Sequence, residues 1–269
     1  MSIESPLGQN ASYPDRYDPG LLFPVSRDDA RRSVGITGSL PFAGSDWWNA
    51  YELSWLEPGG KPRVAVGEFE VPATSPNIIE SKSLKLYLNS LNQCRYDSPE
   101  AVAELLIRDL SHAAGAPVGV RLCGAADWRP IQALPGMCID QLELSVEDYR
   151  PDPGLLKSGP REARETLHSH LLKTNCPVTG QPDWGSVVIS YAGPRVHHSA
   201  LLRYLVSFRS HDGFHENCIE HIFMDLLREC APRELSVQGL YTRRGGIDIN
   251  PFRSNLDNAT AEVRRAWRQ

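Results

Sequence analysis

The sequence predicts an α+β protein in which one plan of strands and amphipathic helices occurs twice. Three observations carry this reading. Stretches of alternating apolar and polar residues mark strands, and stripes at helical period mark helices, in both halves of the chain. A weak internal echo aligns Leu86-Tyr87-Leu88-Asn89-Ser90-Leu91 with Arg203-Tyr204-Leu205-Val206-Ser207-Phe208, and the helices that follow match at Asp109-Leu110 and Asp225-Leu226. A length of 269 residues suits two modules of ordinary size.

Residues 1–45, rich in Pro, Gly, Asp and Ser, are expected to form an irregular arm. Tyr51–Leu56 and Arg63–Val71 alternate and are separated by Pro58-Gly59-Gly60, which predicts an antiparallel hairpin. Ser81–Leu91 fits the start of a helix. Pro99–Leu110 is an amphipathic helix with Val102, Leu105, Leu106 and Leu110 on one face, Ser98 as N-cap and proline at its first position. Val118–Leu122 and Ile139–Val146 are expected as strands, closing a module over 46–150. A polar, proline-bearing linker is expected at 151–165. The second module, 166–269, then offers a strand at Val187–Tyr191, helices at Ala200–Phe208 and Glu216–Cys230, and a strand at Leu235–Tyr241.

Composition narrows the function. Hydrophobic residues make up 41% and charged residues 23%, values of a soluble globular chain. The formal charge is −5, so the basic surplus that tracks a phosphate backbone is lacking and direct nucleic-acid binding is not expected. No apolar run approaches the roughly 20 residues that span a bilayer, and Glu4, Pro6, Asp15, Arg16 and Asp18 do not make a signal pattern. The six cysteines are scattered without a C-x-x-C pair, which argues against a zinc module or a disulfide framework and for the cytoplasm. No metal site is expected. His211 and His215 stand one helical turn apart, but Asp212-Gly213 breaks a helix between them.

Four segments carry chemistry. Asn175-Cys176-Pro177-Val178-Thr179-Gly180-Gln181-Pro182-Asp183-Trp184 places a thiol in a turn-forming loop with an acid seven residues on. A thiolate attacks an electrophilic carbon, and a nearby carboxylic acid can protonate the atom that becomes basic. A buried structural cysteine beside a turn aspartate would read the same way. Pro182 and Trp184 could supply the apolar surroundings that keep Asp183 protonated. His215-Glu216 offers a carboxylate that can accept two adjacent N–H donors, or else an ordinary solvated helix start. Glu80-Ser81-Lys82 opens a helix where backbone N–H groups and a lysine can hold phosphate, or is a plain capped helix. Arg243-Arg244-Gly245-Gly246 is either an anion-binding turn or a simple hairpin. No G-x-G-x-x-G follows a strand, so a Rossmann cofactor site is not implied.

Taken in order, with Ile78-Ile79-Glu80-Ser81-Lys82-Ser83-Leu84-Lys85-Leu86-Tyr87 at the start, these segments resemble the NADPH-dependent 7-cyano-7-deazaguanine reductases, the nitrile reductases of queuosine biosynthesis, in their long two-module form. The E-S-K-S-x-K-x-Y stretch is that family's signature, and the resemblance runs from about Tyr51 to Asn255. It implies tandem tunnelling-fold modules, each an antiparallel sheet with a pair of helices on one face. It implies reduction of a nitrile to a primary amine with NADPH as cofactor and a neutral 7-deazapurine base as substrate. Cys176 matches the nucleophile that forms a thioimidate, and Asp183 matches the proton donor. Ile78, Ile79, Glu80, His215 and Glu216 match substrate contacts, and Ser81, Lys82, Arg244 and Gly245 match NADPH contacts. The long form further implies a homodimer, with the first module supplying cofactor contacts and the second supplying the thiol. Two other readings compete. Amidinotransferases related to this family use the same Cys and Asp on the nitrile but lack the signature at Glu80–Tyr87. A non-catalytic purine-binding module of the same fold would need no thiol beside an acid.

Overall fold

A computed structural model describes residues 16–127, 130–261 and 265–269. In chain order the elements are β1 (Pro24–Ser26), α1 (Asp28–Ser33), β2 (Ala43–Leu56), β3 (Pro62–Pro72), β4 (Asn77–Ile79), α2 (Ser81–Asn89), α3 (Pro99–Ala114), β5 (Gly119–Cys123), β6 (Met137–Cys138), β7 (Ser158–Asn175), β8 (Pro182–Val196), α4 (His198–Ser207), α5 (His215–Cys230), β9 (Glu234–Tyr241) and β10 (Ile247–Ser254), with short 3-10 turns between some of them. The described chain divides into two compact units. The first holds residues up to Asp28, Ser45–Pro130 and Arg243–Ile249; the second holds Asp29–Gly44, Ile131–Thr242 and Asn250 onward.

In the first unit β3 pairs antiparallel with both β2 and β5. The predicted hairpin is therefore present and longer than its alternating residues suggested, because tryptophans 48 and 55 and Phe69 carry its buried face. Leu84, Tyr87, Leu88 and Leu91 of the α2 region and Val102, Leu106 and Leu110 of α3 pack into the same core. The cap on α3 is as predicted: the Ala101 N–H donates to Ser98 Oγ at 3.2 Å.

The second unit holds an antiparallel run of β7, β8, β9 and the latter part of β10. Helix α5 lies on β9 across Gly239, where a Cβ would meet Ile219 Cδ1 at 2.7 Å, so glycine is what permits that approach.

The duplication read from sequence has a physical counterpart in hydrogen bonds. Tyr87 donates to Asp109 at 2.7 Å in the first unit, and Tyr204 donates to Asp225 at 2.7 Å in the second. Ser90 and Ser207 each donate back to the carbonyl of that tyrosine at 2.6 Å. A second echo, missed in the sequence, is Asp-Pro-Gly-Leu-Leu at 18–22 and 152–156. Each copy forms a 3-10 turn capped by its aspartate, which accepts the glycine N–H at 2.9 Å.

Three expectations need correction. Residues 16–45 of the expected arm carry β1 and α1, and residues 1–15 lie outside the described residues. The expected linker, 151–165, holds a 3-10 turn and the first half of β7. Polar residues in it pair across strands: Arg164 donates to both oxygens of Glu234 at 2.6 Å, and Glu165 accepts from Tyr191 at 2.6 Å. The expected strand at 139–146 is irregular: parallel pairing with β7 covers Met137–Cys138, and the Ile139 N–H adds a last bond to His168 O at 3.0 Å. There the Asp140 side chain accepts from Ser169 Oγ (2.6 Å) and from the His170 N–H (2.9 Å), taking the place of a ladder carbonyl and ending the pairing.

Candidate active site

The β7–β8 hairpin sets the thiol and the acid at one end. Its loop is Cys176–Gln181: the Cys176 N–H donates to Gln181 O at 2.8 Å, and the Gly180 N–H donates to Cys176 O at 2.9 Å. Gly180 is left-handed at φ +68°. Thus Cys176 lies in the expected turn, whereas Asp183 lies on β8, opposite Thr174. Side chains alternate along a strand and directly opposed residues share a face. Thr174 and Asp183 therefore point the same way, and Cys176 opens the loop two residues beyond Thr174, at the same end of the hairpin. A thiol and an acid both buried at one hairpin end can serve one small substrate. Cys176 is 3% exposed and Asp183 6%.

The apolar surroundings of Asp183 do not come from Trp184 and Pro182. Both are exposed, and alternation turns Trp184 to the opposite face, where Arg209 stacks on its ring at 5.3 Å. They come instead from β9 and α5. Gly185, two residues after Asp183, opposes Tyr241, so the tyrosine ring is on the aspartate's face. His215 stacks on that ring at 3.8 Å and 15° between planes. Its Nε2 is 3.3 Å from Asp183 Oδ2, yet neither ring nitrogen makes a hydrogen bond among the described residues.

His215 and Glu216 occupy the first turn of α5, whose N-cap, Phe214, makes no side-chain cap. The helix dipole favours an anion there, and the Glu216 carboxylate is buried at 2% exposure. Next to them Cys218 is pushed up to about 12 by burial, with the charges of Glu216 and Asp183 adding to the shift. It stays a protonated thiol at neutral pH and offers no nucleophile. The loop before α5 is pinned beside the thiol: the Asn175 N–H donates to His211 O (2.8 Å), and the Gly213 N–H donates to Asn175 O (3.0 Å).

His211 makes this region acid-sensitive. Burial, with the neighbouring His221 adding to it against Asp212, lowers it to about 4. The unfolded chain takes up this proton below about pH 6.5, and the folded chain does so only near 4. The neutral ring thus contributes stability above pH 6.5 that is lost as pH falls toward 4, by up to about 3 kcal/mol. His211→Gln should flatten that part of a stability-against-pH curve measured by urea unfolding.

The remaining predicted residues belong to the first unit. Ile78 and Ile79 on β4 pair with Val25 and Pro24 and are 2% and 3% exposed, Ile79 within the core. The Glu80 carboxylate caps α2, accepting the N–H groups of Lys82 (2.9 Å) and Ser83 (2.8 Å). Ser81 and Lys82 are half-buried on the first helical turn. Arg244-Gly245-Gly246-Ile247 closes on itself through backbone hydrogen bonds between residues 244 and 247, with φ of +62° and +78° at the two glycines, a hairpin turn that demands glycine. Arg243 lies 4.3 Å over the Tyr51 ring. Glu52 links the two segments: it pairs with Lys85, one turn beyond Lys82, and a Cβ on Gly246 would meet its carboxyl carbon at 2.5 Å. A Cβ on Gly245 would meet nothing within 4 Å, so the backbone there is open to an approaching group. Arginines, a lysine, a hydroxyl and open backbone on one unit suit the phosphates of a dinucleotide.

Within the second unit, then, Cys176, Asp183 and the adjacent pair His215-Glu216 come from three places in the chain to one end of the sheet. Tyr241 is the member that sequence reading missed. Its signal was its place at the end of a strand, just before the Arg-Arg-Gly-Gly turn.

Two protein families match the chain in tandem. One, described as nitrile reductase, 7-cyano-7-deazaguanine-reductase N-term, matches residues 13–122; the other, described as QueF-like protein, matches residues 182–260. The chain is 54% identical over 269 residues, 98% of both chains, to the NADPH-dependent 7-cyano-7-deazaguanine reductase of Burkholderia multivorans. It is 56% identical over 251 residues to the reductase of that name from Chromohalobacter salexigens, covering 93% of this chain and 91% of the relative.

Proposed function

The chain belongs to the 7-cyano-7-deazaguanine reductase family of nitrile reductases, and from that we propose how its residues divide the work. The reaction is NADPH-dependent reduction of the nitrile of 7-cyano-7-deazaguanine to the primary amine, a step of queuosine biosynthesis. The fold is α+β, in tandem tunnelling-fold modules. The observation that carries the division of work is the burial of Cys176 and Asp183 at one end of the β7–β8 hairpin, with His215 Nε2 3.3 Å from the Asp183 carboxylate.

The Cys176 sulfur adds to the nitrile carbon and gives a thioimidate. Asp183 delivers a proton to the nitrile nitrogen as the sulfur adds. His215, sandwiched on Tyr241, has both ring nitrogens available to position the base or relay that proton. Glu216 accepts adjacent N–H groups of the guanine-like edge. NADPH, when bound, would supply hydride twice, first to the thioimidate and then to the imine left once the Cys176 thiolate departs and its C–S bond breaks. Ser81, Lys82, Arg244 and Gly245 hold its phosphates. Ile78, Ile79 and Glu80 border the substrate, Glu80 chiefly by fixing the start of α2 through its cap.

The test is stoichiometric: protein, 7-cyano-7-deazaguanine and NADPH should consume two NADPH per amine formed, since nitrile to amine takes four electrons. An adduct without NADPH oxidation would favour the amidinotransferase reading. Arg244→Ala and Lys82→Ala should each raise the KM for NADPH roughly 10–100-fold, as expected for a charged hydrogen bond worth about 1.5–3 kcal/mol. Both should still form the substrate adduct at wild-type rate by intact mass. Loss of the adduct in either variant would contradict the assigned roles.

We further propose a cytoplasmic homodimer that acts on the free base without touching nucleic acid. The net charge of −5 and six free cysteines support this. No helix among the described residues is long and apolar enough to cross a membrane. Light scattering after gel filtration tests the dimer.

A further inference from the structure

Outside this chemistry, the second unit brings together three ligand-type side chains that are far apart in sequence. Cys138 on β6 is the direct parallel partner of His168 on β7. His170 follows two residues later, so alternation puts it on the same face. One ligand atom from each of the three lies within 4.8 Å of the others. The two imidazoles are edge to face at 5.4 Å.

Their other ring nitrogens are already engaged. His168 Nδ1 is 2.8 Å from Pro135 O. A carbonyl only accepts, so Nδ1 carries the hydrogen and Nε2 keeps its lone pair. His170 Nδ1 is 2.8 Å from Ser186 Oγ, which can accept from it in the same way. An imidazole whose second nitrogen is tied to a carbonyl or hydroxyl has the tautomer and ring orientation fixed for a metal at the first. Asp140, bonded to Ser169 Oγ and to the His170 N–H, holds the strand between the two histidines and adds a negative charge nearby.

We propose that Cys138, His168 and His170 bind a zinc-type divalent cation at the β6–β7 edge. A thiolate with two imidazoles is the donor set that selects zinc over magnesium or calcium. Around a tetrahedral zinc such donors lie roughly 3.3–3.7 Å apart, so closing the site takes rotations of about 1 Å, small for an exposed cysteine. Three protein ligands leave a fourth position to water. His168 precedes Cys176 by eight residues of extended chain, roughly 25 Å, so this site is separate from the reacting thiol. The bound ion clips the two-residue β6 to β7, where backbone pairing alone is short. Sequence spacing hides the set, because Cys138 stands thirty residues from the His-x-His pair and only strand pairing joins them.

The test is zinc titration of the full-length protein against a chromophoric chelator, with Cys176→Ala run alongside to exclude the reacting thiol. One zinc per chain should bind in both proteins. Cys138→Ser, at an exposed position that leaves the fold alone, and His170→Gln should each weaken binding roughly 100-fold or more. Cobalt in place of zinc should give a sulfur-to-metal charge-transfer band that disappears in Cys138→Ser. Zinc binding that follows Cys176, or that is unchanged in Cys138→Ser, overturns the proposal.

Discussion

Cys176→Ala should abolish both turnover and the covalent adduct while leaving the protein folded. The removed atom is one sulfur at a hairpin loop whose backbone hydrogen bonds, Cys176 N–H to Gln181 O and Gly180 N–H to Cys176 O, do not involve it. Loss of so small a buried group costs on the order of 1–2 kcal/mol. Loss of a covalent nucleophile costs on the order of 10⁴–10⁶ in kcat. The two effects separate cleanly, since thermal unfolding should shift little while NADPH oxidation vanishes. Intact mass with 7-cyano-7-deazaguanine and no NADPH should show the adduct on the parent protein and none on Cys176→Ala. Asp183→Ala should keep the adduct but form it slowly, because sulfur addition then lacks its proton. Turnover persisting in Cys176→Ala would remove the thiol from the mechanism.

What the sequence made legible was local. Caps, turns and helical stripes depend on residues within a few positions, and Ser98, the Pro58-Gly59-Gly60 break and the α5 stripe stand where their chemistry put them. Proline and glycine located the Cys176 turn. The face that Asp183 occupies was not legible, because it depends on the β7–β8 register. Trp184 was therefore assigned to the side of Asp183 it does not occupy. Strand β10 was missed for the opposite reason. Its eight residues are all buried, so no alternation marks them, and it contains Asp248, Asn250, Pro251 and Arg253. Asp248 is buried because Asn49 and Tyr51 donate to it at 2.7 and 2.6 Å. Polar residues of this kind look solvated until a distant partner is known, and the same is true of the largest buried charge cluster in the second unit.

That cluster sets the last expected result: Glu220→Ala should destabilise the second unit by about 3–5 kcal/mol. The Glu220 carboxylate, 1% exposed, accepts from Arg31 at 3.0 and 2.8 Å and from Arg253 at 3.0 and 2.8 Å. Both guanidiniums also stack on Phe42, at 5.9 and 5.4 Å, and Phe42 packs edge-on against Phe223 of α5. Removing this carboxylate takes away the acceptor that both buried guanidiniums share, which is costlier than the loss of its hydrogen bonds. At about 2–4 °C per kcal/mol for chains of this size, Tm should fall by roughly 10 °C. Arg31→Met with Glu220→Leu and Arg253→Met should recover most of that loss, since an apolar set need not be desolvated. The consequence for catalysis follows from helix geometry. Glu216 precedes Glu220 by one turn and lies on the same inward face, so the ion cluster fixes the register that presents Glu216 and His215. A repacked triple variant that is stable but has a raised KM for the deazapurine would show that the charges serve position rather than stability; an unchanged KM would show that apolar packing of α5 alone holds the site.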